Sequence, residues 1–186
     1  MKRVFFVTGR PGVGKTTVLL RVVEDLKAKN YIVGGMLSRE ARKGGSRVGF
    51  EILDLTTGRK GWLAHVNQPV GPKVGKYRVN LEDLNSVGVK AILEALRKAD
   101  VIAIDEIGPM ELHSQAFIEA VKNALESDKP IIGTVHSKAR HQLINYLKNR
   151  EDSEIFEVTL ENRSTLHKLI TERILIVLRG KAESEG

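Results

Sequence analysis

Apolar residues recur along the chain in two alternating patterns, one typical of buried strands and the other of amphipathic helices. An apolar run over 3–8 precedes a helical stripe formed by Val18, Leu19, Val22, Val23 and Leu26. Further apolar runs predict strands at Tyr31–Leu37, Val101–Asp105, Ile131–Val135 and Ile155–Thr159. Helices are predicted between the last three of these strands and over about 164–178. Strands that alternate with helices indicate a mostly parallel sheet with flanking helices.

The middle of the chain departs from this pattern. Residues 39–49 are polar, basic and glycine-rich, which predicts a mobile loop. Alternating apolar positions over 50–55 and 59–66, with a turn between them, predict an antiparallel β-hairpin. A loop rich in proline and glycine and a short strand over 77–79 follow. We therefore expect a single domain over 1–180 with an insertion at about 39–79, and a disordered tail over 181–186.

Composition narrows the classes of function. The chain has 186 residues, a net charge of +7 and no cysteine, which excludes a disulfide framework and a thiolate metal site. No apolar run approaches the roughly 20 residues that a membrane helix needs, and we expect a cytoplasmic location. The basic clusters lack interleaved aromatic residues, so nucleic-acid binding is not favoured, although it stays open. The oligomeric state is also left open.

The segment between the first strand and the first helix carries the most specific motif. Gly9–Thr16 has the sequence G-R-P-G-V-G-K-T, the spacing of a P-loop. Glycines in such a loop let backbone N–H groups point inward at a triphosphate. Lys15 is expected to reach the β- and γ-phosphates, and the Thr16 hydroxyl is placed to ligate Mg²⁺. The helix that follows directs its positive dipole end at the same anion.

A second motif ends the strand at 101–105. Four apolar residues lead into Asp105 and Glu106, and the carboxyl end of a strand in an open α/β sheet faces the ligand crevice. In nucleotide hydrolases such an aspartate helps to hold Mg²⁺, and an adjacent glutamate can orient or deprotonate the attacking water. The two motifs together predict a Mg²⁺–nucleotide enzyme.

The motifs together resemble those of a known family. They are similar to those of the small P-loop nucleoside-triphosphatase family of thermophile type, the group that includes the cancer-related nucleoside triphosphatase. The resemblance rests on the P-loop, on the stretch D-E-I-G-P-M-E-L from Asp105, on the run I-I-G-T-V from Ile131 and on V-T-L-E-N-R at Val158–Arg163. The resemblance covers nearly the whole chain. It implies a RecA-like P-loop fold in which strand 131–135 lies between the P-loop strand and the acidic strand.

The resemblance also implies slow, Mg²⁺-dependent hydrolysis of several nucleoside triphosphates, with Thr134 to His136 near the γ-phosphate. No guanine-reading motif is present, so we expect low base specificity. We predict Glu106, Lys15 and Arg163 as catalytic residues and Thr16 and Asp105 as ligands of the metal. The predicted nucleotide-binding residues are Thr8, Gly9, Arg10, Pro11, Gly12, Val13, Gly14, Lys15, Thr16, Thr17, Asp105, Glu106 and Asn162.

An arginine would supply further positive charge at the γ-phosphate. Arg39, Arg42 and Arg163 are candidates, with Arg10 in the loop itself. We favour Arg163 because it follows a strand at the ligand end of the sheet, beside Asn162.

Two other functions stay open. The first alternative is a nucleotide or small-molecule kinase on the same core, in which the insertion holds a phosphoryl acceptor. The second is a P-loop switch whose nucleotide state controls a partner. The adjacent Glu106 favours water as the nucleophile and hence an NTPase.

Overall fold

A computed structural model describes residues 1–184. One mixed sheet runs through the described chain, in the order β5-β6-β4-β3-β2-β7-β8-β1-β9. The strands are β1 (Val4–Thr8), β2 (Val33–Lys43), β3 (Ser46–Asp54), β4 (Lys60–His65), β5 (Lys73–Val74), β6 (Tyr77–Val79), β7 (Val101–Ile107), β8 (Ile131–Val135) and β9 (Ser153–Glu157). Strands β2, β7, β8, β1 and β9 are parallel, and β3 to β6 add an antiparallel extension.

Helices cover both faces of the parallel part. They are α1 (Lys15–Ala28), α2 (Lys90–Lys98), α3 (Gln115–Glu126), α4 (Gln142–Asn149) and α5 (Leu166–Ser184). A short turn of α-helix (Leu81–Asp83) and a π-helical turn (Leu84–Val89) lead into α2, and a 3₁₀ turn (Glu111–His113) precedes α3. None of the helices in residues 1–184 is long and apolar enough to cross a membrane.

Strand β1 shows why the central strands have continuous apolar sequences. Phe6 packs into the core on the side of α2, α3 and α4, whereas Phe5 packs into the core on the side of α1 and α5. Both phenylalanines are fully buried. A parallel strand that is covered on both faces needs an apolar residue at every position. All five apolar positions predicted for α1 are likewise buried.

Several predictions about the elements are confirmed. Strand β8 lies between β1 and β7, and residues 50–55 and 59–66 pair through β3 and β4 as an antiparallel hairpin. The predicted α/β fold with its antiparallel extension is therefore the observed one. The last helix continues through Ser184, four residues into the predicted tail, and 185–186 lie outside the described residues.

The prediction of a mobile loop at 39–49 was wrong. Strand β2 continues to Lys43 and pairs with β3 from Ser46 onward, so this stretch is a β-hairpin with a tight turn. Ion pairs join its strands: Arg39 Nε lies 2.7 Å from Glu51 Oε2, and Arg47 Nη1 lies 2.8 Å from Glu40 Oε1. Charged cross-strand pairs stabilise a sheet as apolar pairs do, which accounts for regular structure in a polar sequence.

Candidate active site

A cavity of about 360 Å³ opens at the carboxyl ends of the central strands. It is lined on one side by the P-loop residues Pro11, Gly12, Lys15 and Thr16, and next to them by Asp105 and Glu106. The carboxyl ends of parallel strands form the ligand crevice of open α/β sheets. The two motifs, which are 91 residues apart at Lys15 and Glu106, therefore meet at one site.

The P-loop turns directly into α1. Gly14 precedes the helix with a φ of 113°, a conformation that favours glycine, and no side chain caps the helix end. The first backbone N–H groups of a helix have no partner within the helix. Together with the glycine-rich loop they leave donors for an anion, as the sequence predicted.

Asp105 is joined to two hydroxyl groups. Thr16 Oγ1 donates to Asp105 Oδ2 at 3.0 Å, and Thr134 Oγ1 donates to Asp105 Oδ1 at 2.6 Å. Asp105 is only 2% exposed. Burial raises the pKa of Asp105 to about 6, against the opposing effect of the two hydroxyl hydrogen bonds. A buried carboxylate of this kind is stabilised by a cation beside it.

Glu106 faces the P-loop lysine. Lys15 Nζ lies 3.4 Å from Glu106 Oε2, and the lysine and glutamate side chains are 11% and 24% exposed. The pairing of β7 with β8 shifts register between Ile104 and Ile107. The two adjacent acids have different partners, Asp105 the hydroxyls of Thr16 and Thr134 and Glu106 the ammonium of Lys15.

The hard oxygen groups beside the P-loop suit Mg²⁺. The Thr16 hydroxyl and the Asp105 carboxylate are adjacent, and oxygen is the ligand atom that Mg²⁺ prefers. No group of three or more His, Asp or Glu side chains in residues 1–184 forms a metal cluster.

The remaining predicted residues lie around the P-loop. Arg163 Nη1 lies 3.5 Å from the Val13 carbonyl, on the flank of the loop rather than among the residues that line the cavity with Glu106. Asn162 uses its side chain within its own turn, where Oδ1 accepts from Thr159 N and Nδ2 donates to the Glu157 carbonyl, both at 2.8 Å. Thr8 ends β1, Gly9, Arg10 and Val13 complete the loop, and Thr17 lies in the first turn of α1.

Three parts of the cavity were not predicted as site residues. The antiparallel strands and β5 contribute Ser38, Glu40, Arg47, Phe50, Leu63 and Val74, and Pro109 and Met110 lie near the acids. His136, which the resemblance placed near the γ-phosphate, also lines the cavity. Glu111, also in the cavity wall, is only 3% exposed. Burial raises the pKa of Glu111 well above its usual value, and nearby Glu106 raises it further. An acid inside the apolar stretch after Asp105 was the sequence signal for it.

Glu106 and Glu111 approach the same glycine. A Cβ atom on Gly108 would lie 3.0 Å from Glu106 Oε1 and 3.1 Å from Glu111 Oε2. The glycine therefore leaves room for both carboxyl groups, and Glu111 lies behind the side chain that faces Lys15.

A larger groove of about 680 Å³ lies between α1 and α5. Its lining mixes Asp25 and Glu172 with Lys29, Lys168 and Arg179, and no phosphate-binding loop reaches it. The smaller cavity is lined by the P-loop and by both acids, and it is therefore the candidate active site.

The fold and the site define a P-loop nucleotide-binding protein of the class in which a strand separates the P-loop strand from the acidic strand. The chain belongs to the NTPase family, whose sequence model matches residues 4–171.

Similar proteins agree in sequence and in structure. The nucleoside-triphosphatase THEP1 of Thermofilum pendens is 48% identical over 171 residues, which cover 91% of this chain and 94% of that protein. The crystal structure of THEP1 from Aquifex aeolicus has a TM-score of 0.80 at 29% identity and covers 90% of this chain and 96% of its own. The solution structure of a human cancer-related nucleoside triphosphatase has a TM-score of 0.78 at 36% identity, covering 92% and 97%.

Proposed function

We propose that the chain hydrolyses nucleoside triphosphates to the diphosphate and phosphate, with Mg²⁺ and with little discrimination among bases. The observation that carries this proposal is the meeting of Lys15, Thr16, Asp105 and Glu106 in one cavity. The names of the relatives support a nucleoside-triphosphatase and do not favour the kinase alternative. The cytoplasmic location expected from the sequence stays a prediction.

The P-loop would bind the phosphates. Its backbone N–H groups and the start of α1 face the anion, and Lys15 adds a charge at the γ-phosphate. The Thr16 hydroxyl and the Asp105 carboxylate would hold Mg²⁺, which supplies neutralising charge at the β- and γ-phosphate oxygens. Arg163, on the flank of the loop beside Val13, would add a further positive charge from that side.

Glu106 would act on the attacking water. The water oxygen forms a bond to the γ-phosphorus, the bond to the bridging oxygen breaks, and the diphosphate leaves with that oxygen. The proton of the water passes to Glu106. In the structure, Lys15 forms an ion pair with this carboxylate. A γ-phosphate at Lys15 would compete for the lysine and leave Glu106 free to accept a proton.

The turn after β9 supports the proposal of low base discrimination. Both polar ends of the Asn162 side chain are bound to backbone groups of its own turn. A site rejects a wrong base strongly only where its own polar groups would be left without partners. Asn162 therefore offers no such penalty.

Phosphate release from ATP, GTP, CTP and UTP, with and without Mg²⁺, tests the proposal. We expect release from all four only with the metal, and a loss of kcat of about 10²-fold or more in Glu106→Gln with ATP binding retained. Unchanged turnover in the variant would remove Glu106 from the mechanism. Hydrolysis of one nucleotide alone would overturn the low base specificity, and tight binding without release in the wild type would overturn hydrolysis itself.

A further inference from the structure

The wall of the cavity opposite the P-loop is formed by the hairpin of β2 and β3. Met36 pairs with Ile104, so the residues that follow Met36 in β2 extend beyond the carboxyl end of the parallel sheet, level with the acids at 105–106. Ser38, Arg39, Glu40 and Arg47 then line the cavity that Lys15 and Glu106 line from the other side. The hairpin thus brings two guanidinium groups, those of Arg39 and Arg47, to the cavity that Lys15 and Glu106 also line.

Arg47 is already committed to the hairpin. Its Nε donates to the Tyr77 hydroxyl at 2.8 Å, and its Nη1 donates to Glu40 Oε1 at 2.8 Å. The guanidinium carbon lies 5.2 Å from the centre of the Phe50 ring and 5.7 Å from that of the Tyr77 ring. These contacts hold Arg47 as a structural part of the wall. Arg42, for its part, donates to the Gly45 carbonyl and to Glu40, and it does not line the cavity.

Arg39 is held at one point and free at the other. Its Nε donates to Glu51 Oε2 at 2.7 Å, across the rung that pairs the two residues in β2 and β3. The side chain is 53% exposed, and neither Nη1 nor Nη2 has a hydrogen-bond partner within residues 1–184. A guanidinium presents its donors in a fork that matches two phosphate oxygens. Glu51 thus holds the Nε end of the guanidinium in place and leaves Nη1 and Nη2 available to bind a phosphate.

We propose that Arg39 is a catalytic arginine that binds the γ-phosphate oxygens in the transition state, supplied by the hairpin of the same chain. The proposal rests on the proposed position of the γ-phosphate at Lys15. In the hydrolysis step the bond between the γ-phosphorus and the bridging oxygen breaks as water adds, and charge builds on the oxygens. Lys15 approaches this charge from the P-loop side and Arg39 from the hairpin side. Glu51 is the positioning residue of Arg39.

Arg39→Ala, Arg39→Gln and Arg39→Lys test the proposal. Glutamine keeps an N–H group that can donate to Glu51 but has no charge, so Arg39→Gln tests the loss of the charge even if Arg39→Ala does not fold. Lys keeps the charge without the fork. Lys43→Ala, further along β2, is the matched control for the loss of one positive charge. Steady-state kinetics, affinity for a non-hydrolysable ATP analogue and trapping of ADP with aluminium fluoride, which imitates the transferring phosphoryl group, are measured on each variant.

We expect kcat to fall about 10²-fold or more in Arg39→Ala and Arg39→Gln, with an intermediate loss in Arg39→Lys. The affinity for the ATP analogue is expected to stay within about threefold, since the contact is made mainly in the transition state. Trapping of the aluminium fluoride complex should be lost, a readout that a merely structural role would not move. Lys43→Ala should behave as wild type.

The proposal is overturned if Arg39→Ala or Arg39→Gln keeps wild-type kcat and trapping while Glu106→Gln is inactive. It is also overturned if the affinity for the ATP analogue falls in parallel with kcat, because the arginine would then serve ground-state binding. If Lys15→Ala and the Arg39 variants all turn over normally, the γ-phosphate does not lie at Lys15, and the role of Arg39 is lost together with the proposed function.

Discussion

Lys15 Nζ lies 3.4 Å from Glu106 Oε2, so the cation of the P-loop and the proposed base for water form an ion pair. The two side chains are 11% and 24% exposed, which screens the pair less than a surface pair. Each charge therefore depends on the other for a partner, and a bound phosphate would change the partner of both.

Replacement of Lys15 tests that dependence. We expect Lys15→Ala to weaken ATP binding about 10- to 100-fold, the scale of one lost hydrogen bond to a charged group, and to lower kcat as well. Titration with a fluorescent ATP analogue and phosphate-release kinetics measure the two effects. When each loss of kcat is expressed as a free energy, the loss in the double variant Lys15→Ala/Glu106→Gln should be smaller than the sum of the two single losses, because the two residues act together. Unaltered binding and kinetics in Lys15→Ala would contradict the assignment of the P-loop.

Asp105 makes stability depend on pH. Because burial raises the pKa of Asp105 from 3.8 to about 6, the folded protein binds this proton more tightly than the unfolded chain does. The ionised group destabilises the fold fully above pH 6, and the effect disappears as the pH falls towards the unfolded pKa. Without metal or nucleotide, Asp105→Asn should be more stable than wild type by about 3 kcal/mol at pH 7.5 and nearly equal to it at pH 4.

Urea unfolding in EDTA at the two pH values measures the difference for Asp105→Asn. Asp128→Asn is the control of opposite sign, because a hydrogen bond from Lys181 lowers the pKa of Asp128. That control should show no gain in stability at pH 7.5. A stability difference for Asp105→Asn that is the same at both pH values would be inconsistent with a raised pKa.

Thr134 supports Asp105 from the neighbouring strand. Its hydroxyl is fully buried and donates to Asp105 Oδ1 at 2.6 Å. Thr134→Val keeps the shape and removes the donor, so we expect a loss of about 1–3 kcal/mol in the free energy of unfolding at pH 7.5. Thr134→Ser, which keeps the hydroxyl, should recover most of this loss. Equal stability of the valine and serine variants would show that the hydrogen bond is not what stabilises the site.

Gly35 allows β2 and β7 to approach each other. It has a φ of 125°, and a Cβ atom there would lie 2.0 Å from the carbonyl oxygen of Ala103, its partner in the ladder. Gly35→Ala should therefore cost at least about 4 kcal/mol in the free energy of unfolding, the range of severe backbone clashes. Gly58→Ala is the matched control, because Gly58 also has a positive φ (74°) but nothing lies within 4 Å of the added atom. Its cost should be about 1 kcal/mol, and similar urea midpoints for both variants would refute the clash.

Sequence reasoning identified the parts of the fold that depend on local patterns. Strand β8, with five apolar or small residues in a row, and helix α1, with its helical stripe, have the predicted positions. The hairpin turn at 44–45 was missed because its strands are held by ion pairs such as Arg39–Glu51. Hydrophobic periodicity does not reveal such ion pairs, so the polar stretch 39–49 was predicted as a loop.

The residues of the candidate site likewise fall into two groups, those that belong to sequence motifs and those that only the fold brings together. The P-loop and the acids at 105–106 are short motifs whose chemistry is visible in the sequence, and the structure brings them into one cavity. The wall opposite the P-loop, to which Phe50 of β3 and Val74 of β5 contribute, comes from residues that are distant in the sequence from the P-loop and form no motif. Glu111 was also missed, because its importance comes from burial beside Glu106 rather than from its spacing.

Strand β2 belongs to the central sheet at one end and to the cavity wall at the other. Its eleven residues run without interruption from Val33 to Lys43. The wall of the cavity opposite the P-loop is therefore a continuation of a strand whose first part lies in the core of the protein. The width of the cavity at this wall is set by the fold, and it limits the size of the molecules that can enter beside the γ-phosphate.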